Sequence, residues 1–258
     1  MNVAVRDVGL IAWRSSRRTM RQPAAVIVPL TFPLILLAVN SNGLRAATHL
    51  PGFPTRSFLS FFLPFAFIQG ALFAAMTAGT DLARDIDTGF FNRLALTPLR
   101  GMGLLVGQLG GALTQALLQA IAYLTVGLVL GVHFASGVAG VFVFLLLALS
   151  IAAAWGTTGI WIALRTGSGE AVQSQFPVLF FFMVISSMYL PRNLIEAHWF
   201  RLAATLNPVS YMIEGLRSLI IQGWNAEALL LGFGMSLGLV AVAMLLSSFA
   251  LKKRMTRT

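Results

Sequence analysis

The chain has 258 residues, 57% of them hydrophobic and only 10% charged, with a formal net charge of +10. A soluble domain carries about 25% charged residues, so this composition excludes an ordinary water-facing surface and points to the bilayer as solvent. There is no cysteine, which excludes disulfides, Cys-based zinc sites and Cys nucleophiles.

The first 22 residues are basic. Arg6, Arg14, Arg17 and Arg21 share one arc of a helical wheel, while Val5, Val8, Ala12 and Met20 fall elsewhere. This predicts an amphipathic helix over 1–22 that lies on the inner leaflet. A basic region before an apolar run is also how a secretory leader begins. Here the basic region is long and no small-residue cleavage site follows Leu37–Asn42, so the segment is expected to be retained.

Six apolar segments follow, at about 23–41, 57–80, 102–132, 138–164, 172–190 and 226–251. A hydrocarbon core of about 30 Å takes roughly 20 apolar residues as a helix, and a helix satisfies its own backbone. The stretch VFVFLLLALSIAAAWG lacks the alternation of a membrane strand. The expected fold class is therefore an all-α membrane protein with six transmembrane helices. Pro29 and Pro33 should kink the first span. The third and fourth exceed a perpendicular crossing and should tilt or project.

Between the second and third spans lies DIDTGFFNRLALTPLRG, residues 85–101. Asp85, Asp87 and Thr88 suit a helix start, where the dipole favours acids. Phe90, Phe91, Leu94 and Leu96 supply an apolar face, and Pro98 ends it. The segment 84–100 reads as a short amphipathic helix at the cytoplasmic surface, its exposed aromatics marking a docking face.

In the third span Gln108, Gln115 and Gln119 share a face with Gly111. Amides in lipid seek partners, so this face should turn into the bundle or a dimer. Gly103, Gly107 and Gly111 recur at the spacing that lets helices approach closely. Together with Phe61, Phe65, Phe176 and Phe180, the three glutamines are the candidate translocation path; lipid contact is the plainer role for the phenylalanines. The Gly-Ser-Gly at 167–169 has no His on a neighbouring span to act as base and reads as a loop. His49, His133 and His198 fall in outside loops without ligand spacing, so no metal site is expected.

Before the last span, Asn207 is a good N-cap, Pro208 a good first helical residue and Gly223 a stop. Glu214 and Arg217 are neighbours on one helix face. With Trp199 at interfacial height, 191–223 reads as two short helices dipping into the outer leaflet. The cations fix the orientation. Thirteen fall on one side (Arg6, Arg14, Arg17, Arg18, Arg21, Arg84, Arg93, Arg100, Arg165, Lys252, Lys253, Arg254, Arg257) and five on the other (Arg45, Arg56, Arg192, Arg201, Arg217). The positive-inside rule then places both termini in the cytoplasm. The charge serves topology and lipid headgroups rather than nucleic acid. The only lysines are Lys252 and Lys253, with no Gly-rich turn before them, so the chain has no P-loop.

Two motifs carry a family resemblance: Asp87-x-Gly89 with Leu94 and Thr97-Pro98, and NPVSYMIEGLR at 207–217. The chain resembles ABC-2 type transporter permeases, most of all the daunorubicin-resistance group of drug exporters. It departs from the pattern in having Asp where Glu is usual and Phe90 where a small polar residue is common. The resemblance implies a single transmembrane permease domain over 1–258 in the cell membrane. It makes 84–100 a coupling helix in a groove of a separate ATPase subunit, through Arg84, Asp85, Asp87, Gly89, Phe90, Phe91, Leu94, Thr97 and Pro98. It makes 191–223 extracellular re-entrant helices, with Asn207, Pro208, Tyr211, Glu214 and Arg217 at a gate. Two permeases, as a homodimer or with a sibling chain, would stand on two ATPases. Those would bind ATP and Mg, while this chain binds no cofactor and is no enzyme. The implied cargo is an amphipathic drug or lipid; polysaccharide or glycolipid export uses the same architecture. A channel or scaffold without an ATPase is the reading from another class.

Overall fold

A computed structural model describes residues 3–21, 23–90 and 101–255. Helix α1 spans Val3–Met20, and α2 spans Pro23–Gly43 with Pro at its first position. Helix α2 continues through Pro29 and Pro33. Pro33 lacks the N–H that would bond the Pro29 carbonyl, and the Tyr123 hydroxyl donates to that oxygen instead at 3.3 Å. At 21 residues, α2 is about as long as the hydrocarbon core is thick.

A 3-10 turn at Arg45–His49 leads to α3, Phe58–Asp87, whose start is capped by Ser57 accepting from the Ser60 amide. Helix α4 spans Gly101–Val129 and α5 spans Gly137–Thr166. Helix α3 is the axis of the bundle, touching α2, α4 and α5, and 83% of its most apolar stretch is buried. Its contact with α5 depends on Gly159, where a Cβ would lie 2.5 Å from the Ala75 carbonyl oxygen. Gly167, with φ 72°, closes α5, and the Ser168 hydroxyl caps α6, Gly169–Gln173. The Gly-Ser-Gly at 167–169 is thus a helix-to-helix turn.

The segment expected as a fifth span, 172–190, is not one helix. Helix α7, Gln175–Val184, has ten residues, so it is about 15 Å long, half the hydrocarbon core. Beyond it the chain leaves the helix, and Ser186, Ser187 and Met188 are buried. Ile and Ser are weak helix formers, and side chains from a later motif take up the freed backbone groups. A 3-10 turn at Arg192–Leu194 precedes α8, His198–Leu206, and α9, Pro208–Ile221. Helix α10, Ala226–Met255, packs on α5 and α9 with only 17% of its most apolar stretch buried. An Arg254 guanidinium N–H donates to the Leu164 carbonyl at 3.0 Å, so α5 and α10 end together. Among the described residues, α3, Leu105–Val129 of α4, α5 and α10 have the length and apolarity to cross a membrane.

A second expectation is corrected at the C-terminal end of α3. Asp85 and Asp87 do not open a new helix. They lie in the last turn of α3, and Thr88 is its C-cap, its amide donating to the Arg84 carbonyl and the Gly89 amide to that of Ile86. The apolar series Ala78, Leu82 and Ile86 continues the helical period past position 80 and stays buried. Acids at a helix C-terminus are disfavoured by the dipole, so their partners must come from elsewhere.

Candidate functional site

Two polar constellations mark the ends of α3. At the C-terminal end, α1 lies against α4 through Ile11, Ser15 and Thr19, all buried. The approach is close because Gly110 and Gly111 have no side chain: a Cβ on Gly110 would be 2.6 Å from Ala12 Cα, and one on Gly111 would strike Ser15 Oγ. Thr114 donates to Ser16 Oγ at 2.7 Å, and Ser16 to the Gly110 carbonyl at 3.2 Å. Of the four-spaced glycines, Gly111 thus serves close approach, and its partner is the N-terminal helix.

This packing delivers two arginines to α3. Asp85, 4% exposed, accepts from both terminal nitrogens of Arg14 at 3.2 and 3.3 Å and from Arg18 at 3.3 Å. Arg18 also pairs with Asp81 at 3.1 Å. Gln108 of α4 donates to Asp85 at 3.4 Å, which gives this buried amide a charged acceptor. Three elements therefore meet on one carboxylate. Arg84 and Asp87 are exposed. Gly89, φ 69°, turns the chain in a conformation that favours glycine. The turn brings the Phe90 ring under the Arg14 guanidinium at 3.8 Å. Phe91, Leu94, Thr97 and Pro98 lie outside the described residues.

At the N-terminal end, the motif at 207–217 binds the broken fifth segment. Asn207 caps α9 by accepting from the Val209 amide at 2.9 Å, with Pro208 at the first position. Its amide nitrogen donates to the Phe182 and Ile185 carbonyls, so one side chain caps the start of α9 and the end of α7. Ser210 accepts from the Ser187 amide at 3.1 Å. Arg217, 7% exposed, donates to the carbonyls of Phe61 and Ser187 at 3.0 Å and of Met188 at 3.2 Å. Its guanidinium lies 3.6 Å over the Phe61 ring. Burial lowers the Arg217 pKa to about 9 and Glu214 opposes the fall, so the group is a cation at neutral pH. Irregular backbone in a membrane protein is tolerated where protein groups satisfy it, and these three side chains do that for 182–188.

Glu214 shares a face with Arg217 but pairs with Arg192, at 2.9 and 2.6 Å. Arg192 also sits over the Tyr211 ring at 4.6 Å, and Tyr211 donates to the Thr205 carbonyl at 2.8 Å. A cavity of about 620 Å³ opens beside Arg192, Glu214, Arg217, Gln222, Asn225 and Glu227. Sequence reasoning singled out Asn207, Tyr211, Glu214 and Arg217 but missed Arg192 and Ser210. It likewise missed the pairing of Arg14 and Arg18 with the acids of α3. The helical spacing of Asp81 and Asp85 was the available signal.

Of the path candidates, Gln108, Gln115 and Gln119 are buried inside the chain, as are Phe61 and Phe65. Phe176 and Phe180 are half-buried and stack at 5.8 Å, with Phe73 against Phe176 at 5.9 Å.

These features describe a multi-pass helical membrane protein with a polar clamp at each end of its central helix. The chain belongs to the ABC-2 type transporter family, whose model matches residues 6–221. It is 25% identical over 242 residues to the daunorubicin resistance ABC transporter permease protein DrrB1 of Streptomyces coeruleorubidus, covering 89% of this chain and 80% of that one. It is 28% identical over 204 residues to the probable doxorubicin resistance ABC transporter permease protein DrrC of Mycobacterium tuberculosis, covering 77% and 70%.

Proposed function

We propose that this chain is the membrane-spanning subunit of an ATP-driven exporter that moves an amphipathic, drug-like or lipid-like substrate out of the cytoplasm or inner leaflet. Two such subunits, identical or with a sibling, flank a central path and stand on two separate ATPases, which hold ATP and Mg. Closure of the ATPases pushes the segment from Arg84 to Pro98, and the spans rock between inward- and outward-open states. Both termini face the cytoplasm, and the helices of 191–223 form the outer gate. Family membership carries the reading, with permeases of daunorubicin and doxorubicin resistance among the relatives. The geometry at Asp85 supports the mechanical part. A push on the turn at Gly89 and Phe90 reaches α1, α3 and α4 at once through Arg14, Arg18, Asp85 and Gln108.

The test is purification of the membrane complex with untagged host proteins and mass identification of what stays bound. An ABC ATPase should co-purify, and the chain alone should hydrolyse no ATP. Phe90→Ala with Phe91→Ala should leave insertion intact and lose both the ATPase and transport. A double variant that keeps both refutes the coupling role.

A further inference from the structure

We propose that the trough between α5, α7 and α10 binds one acyl chain of an anionic phospholipid, with the lipid phosphate at the basic end marked by Arg165 and the last turn of α10. The trough has a volume of about 510 Å³, and its walls include Trp161, Ile162, Val178, Leu179, Val242 and Leu246. It opens outward: Val178 and Val242 are each 55% exposed and Leu246 is 42% exposed. In a chain whose solvent is lipid, an outward-open apolar trough is filled by hydrocarbon.

The charge at one end selects which lipid. Trp161 is a wall residue, and the exposed Arg165 guanidinium lies 5.8 Å from its ring, beside the mouth. The Arg254 bond to Leu164 brings the last turn of α10 to the same end, and with it the exposed Lys252 and Lys253. The exposed acids of the elements that meet there are Glu170 on α6 and Asp87 at the end of α3, against the cations Arg165, Lys252, Lys253 and Arg254. This end is thus cationic. A second copy of this chain docked on the trough would have to desolvate this basic end, which is costly unless it brings a matching anion. A phosphate with its chain in the trough neutralises it at no such cost. Basic sites between helices hold anionic headgroups in this way. The inference concerns the protomer and its lipid and stands apart from any ATPase.

The purified full chain in detergent is titrated with dioleoyl phosphatidylglycerol or dioleoyl phosphatidylcholine and read by native mass spectrometry. One phosphatidylglycerol per protomer should be retained at a concentration at least tenfold lower than phosphatidylcholine. Val178→Trp with Val242→Trp fills the trough from exposed positions and should abolish the adduct. Arg165→Gln with Lys252→Gln should bring the two lipids level, at roughly fivefold per cation removed. The rise in melting temperature produced by phosphatidylglycerol over phosphatidylcholine is the second readout, and it shows that each variant is folded. Equal retention of the two lipids by the unaltered chain overturns the proposal. So does an adduct that survives the tryptophan pair. Loss of a dimer in that pair, with the adduct intact, makes the trough a self-interface and also overturns it.

Discussion

Replacing Arg217 by Met keeps the length and apolar stem of the side chain but removes its donors. Three bonds are lost, to Phe61, Ser187 and Met188, together with the stack on Phe61. At about 1.5–3 kcal/mol for each bond to a charged group and about 2 for a desolvated cation–π contact, the gross loss is roughly 6–11 kcal/mol. Relief of the guanidinium's own desolvation returns several kcal/mol, which leaves a net cost of about 3–5 kcal/mol. For a domain of this size each kcal/mol moves the midpoint by about 2–4 °C, so the Met variant should melt roughly 10 °C lower, followed by tryptophan fluorescence in detergent. Hydrogen exchange should locate the damage: the amides of 186–188 should exchange faster while those in the middle of α5 hold. Arg217→Lys should recover only part, because one ammonium cannot reach three carbonyls in two directions. A Met variant that melts within about 2 °C of the unaltered chain, with unchanged protection at 186–188, would show that Arg217 does not hold the broken segment.

Asp85→Ala should release α1, because Arg14 and Arg18 then lose their shared acceptor. Hydrogen exchange over 9–20 should speed by at least tenfold, and unchanged exchange there refutes the clamp. Gly89→Val puts a β-branched residue at φ 69° with open space around the added Cβ, so the cost is backbone strain of about 1–2 kcal/mol and no clash. It should weaken ATPase retention while leaving the melting temperature of the spans near that of the unaltered chain, and a Val variant that binds as before removes the turn from the coupling element. Reporter fusions at Ser168 and at the C-terminus should read cytoplasmic, and those at Gly52, Ser136 and Ala197 external. A periplasmic signal at Ser168 would sink the proposed topology.

Much of the fold was legible because one-dimensional signals decide it. Hydropathy located α2, α3, α4, α5 and α10, and Asn207-Pro208 marked the start of α9 by local capping chemistry alone. The amide face of α4 was also readable, since Gln108, Gln115 and Gln119 share one side and all are buried. What escaped reading depended on contacts far apart in sequence. Asp85 looks like a helix-start acid until Arg14 arrives from 71 residues away to neutralise it. The apolar run FPVLFFFMVISSMYL has the hydropathy of a full span. Its break after Val184 is stable because Asn207, Ser210 and Arg217 supply the bonds the helix would have made. Composition does not encode such a trade.

The unequal burial of α3 and α10 sets how freely each can drift. Most side chains in the apolar stretch of α3 are enclosed by protein, so a change of one methylene disturbs a neighbour whose shape is fixed. Where the exposed side of α10 meets acyl chains, which are fluid and as apolar as leucine, exchanges among Leu, Val, Ile, Met and Phe meet no fixed mould. Across descendants of this chain, variation should therefore concentrate on the exposed side of the last helix. The seam it shares with α5 and α9, where Ser236 meets Ser150 and Gly232 faces the Tyr211 carbonyl, should change slowly.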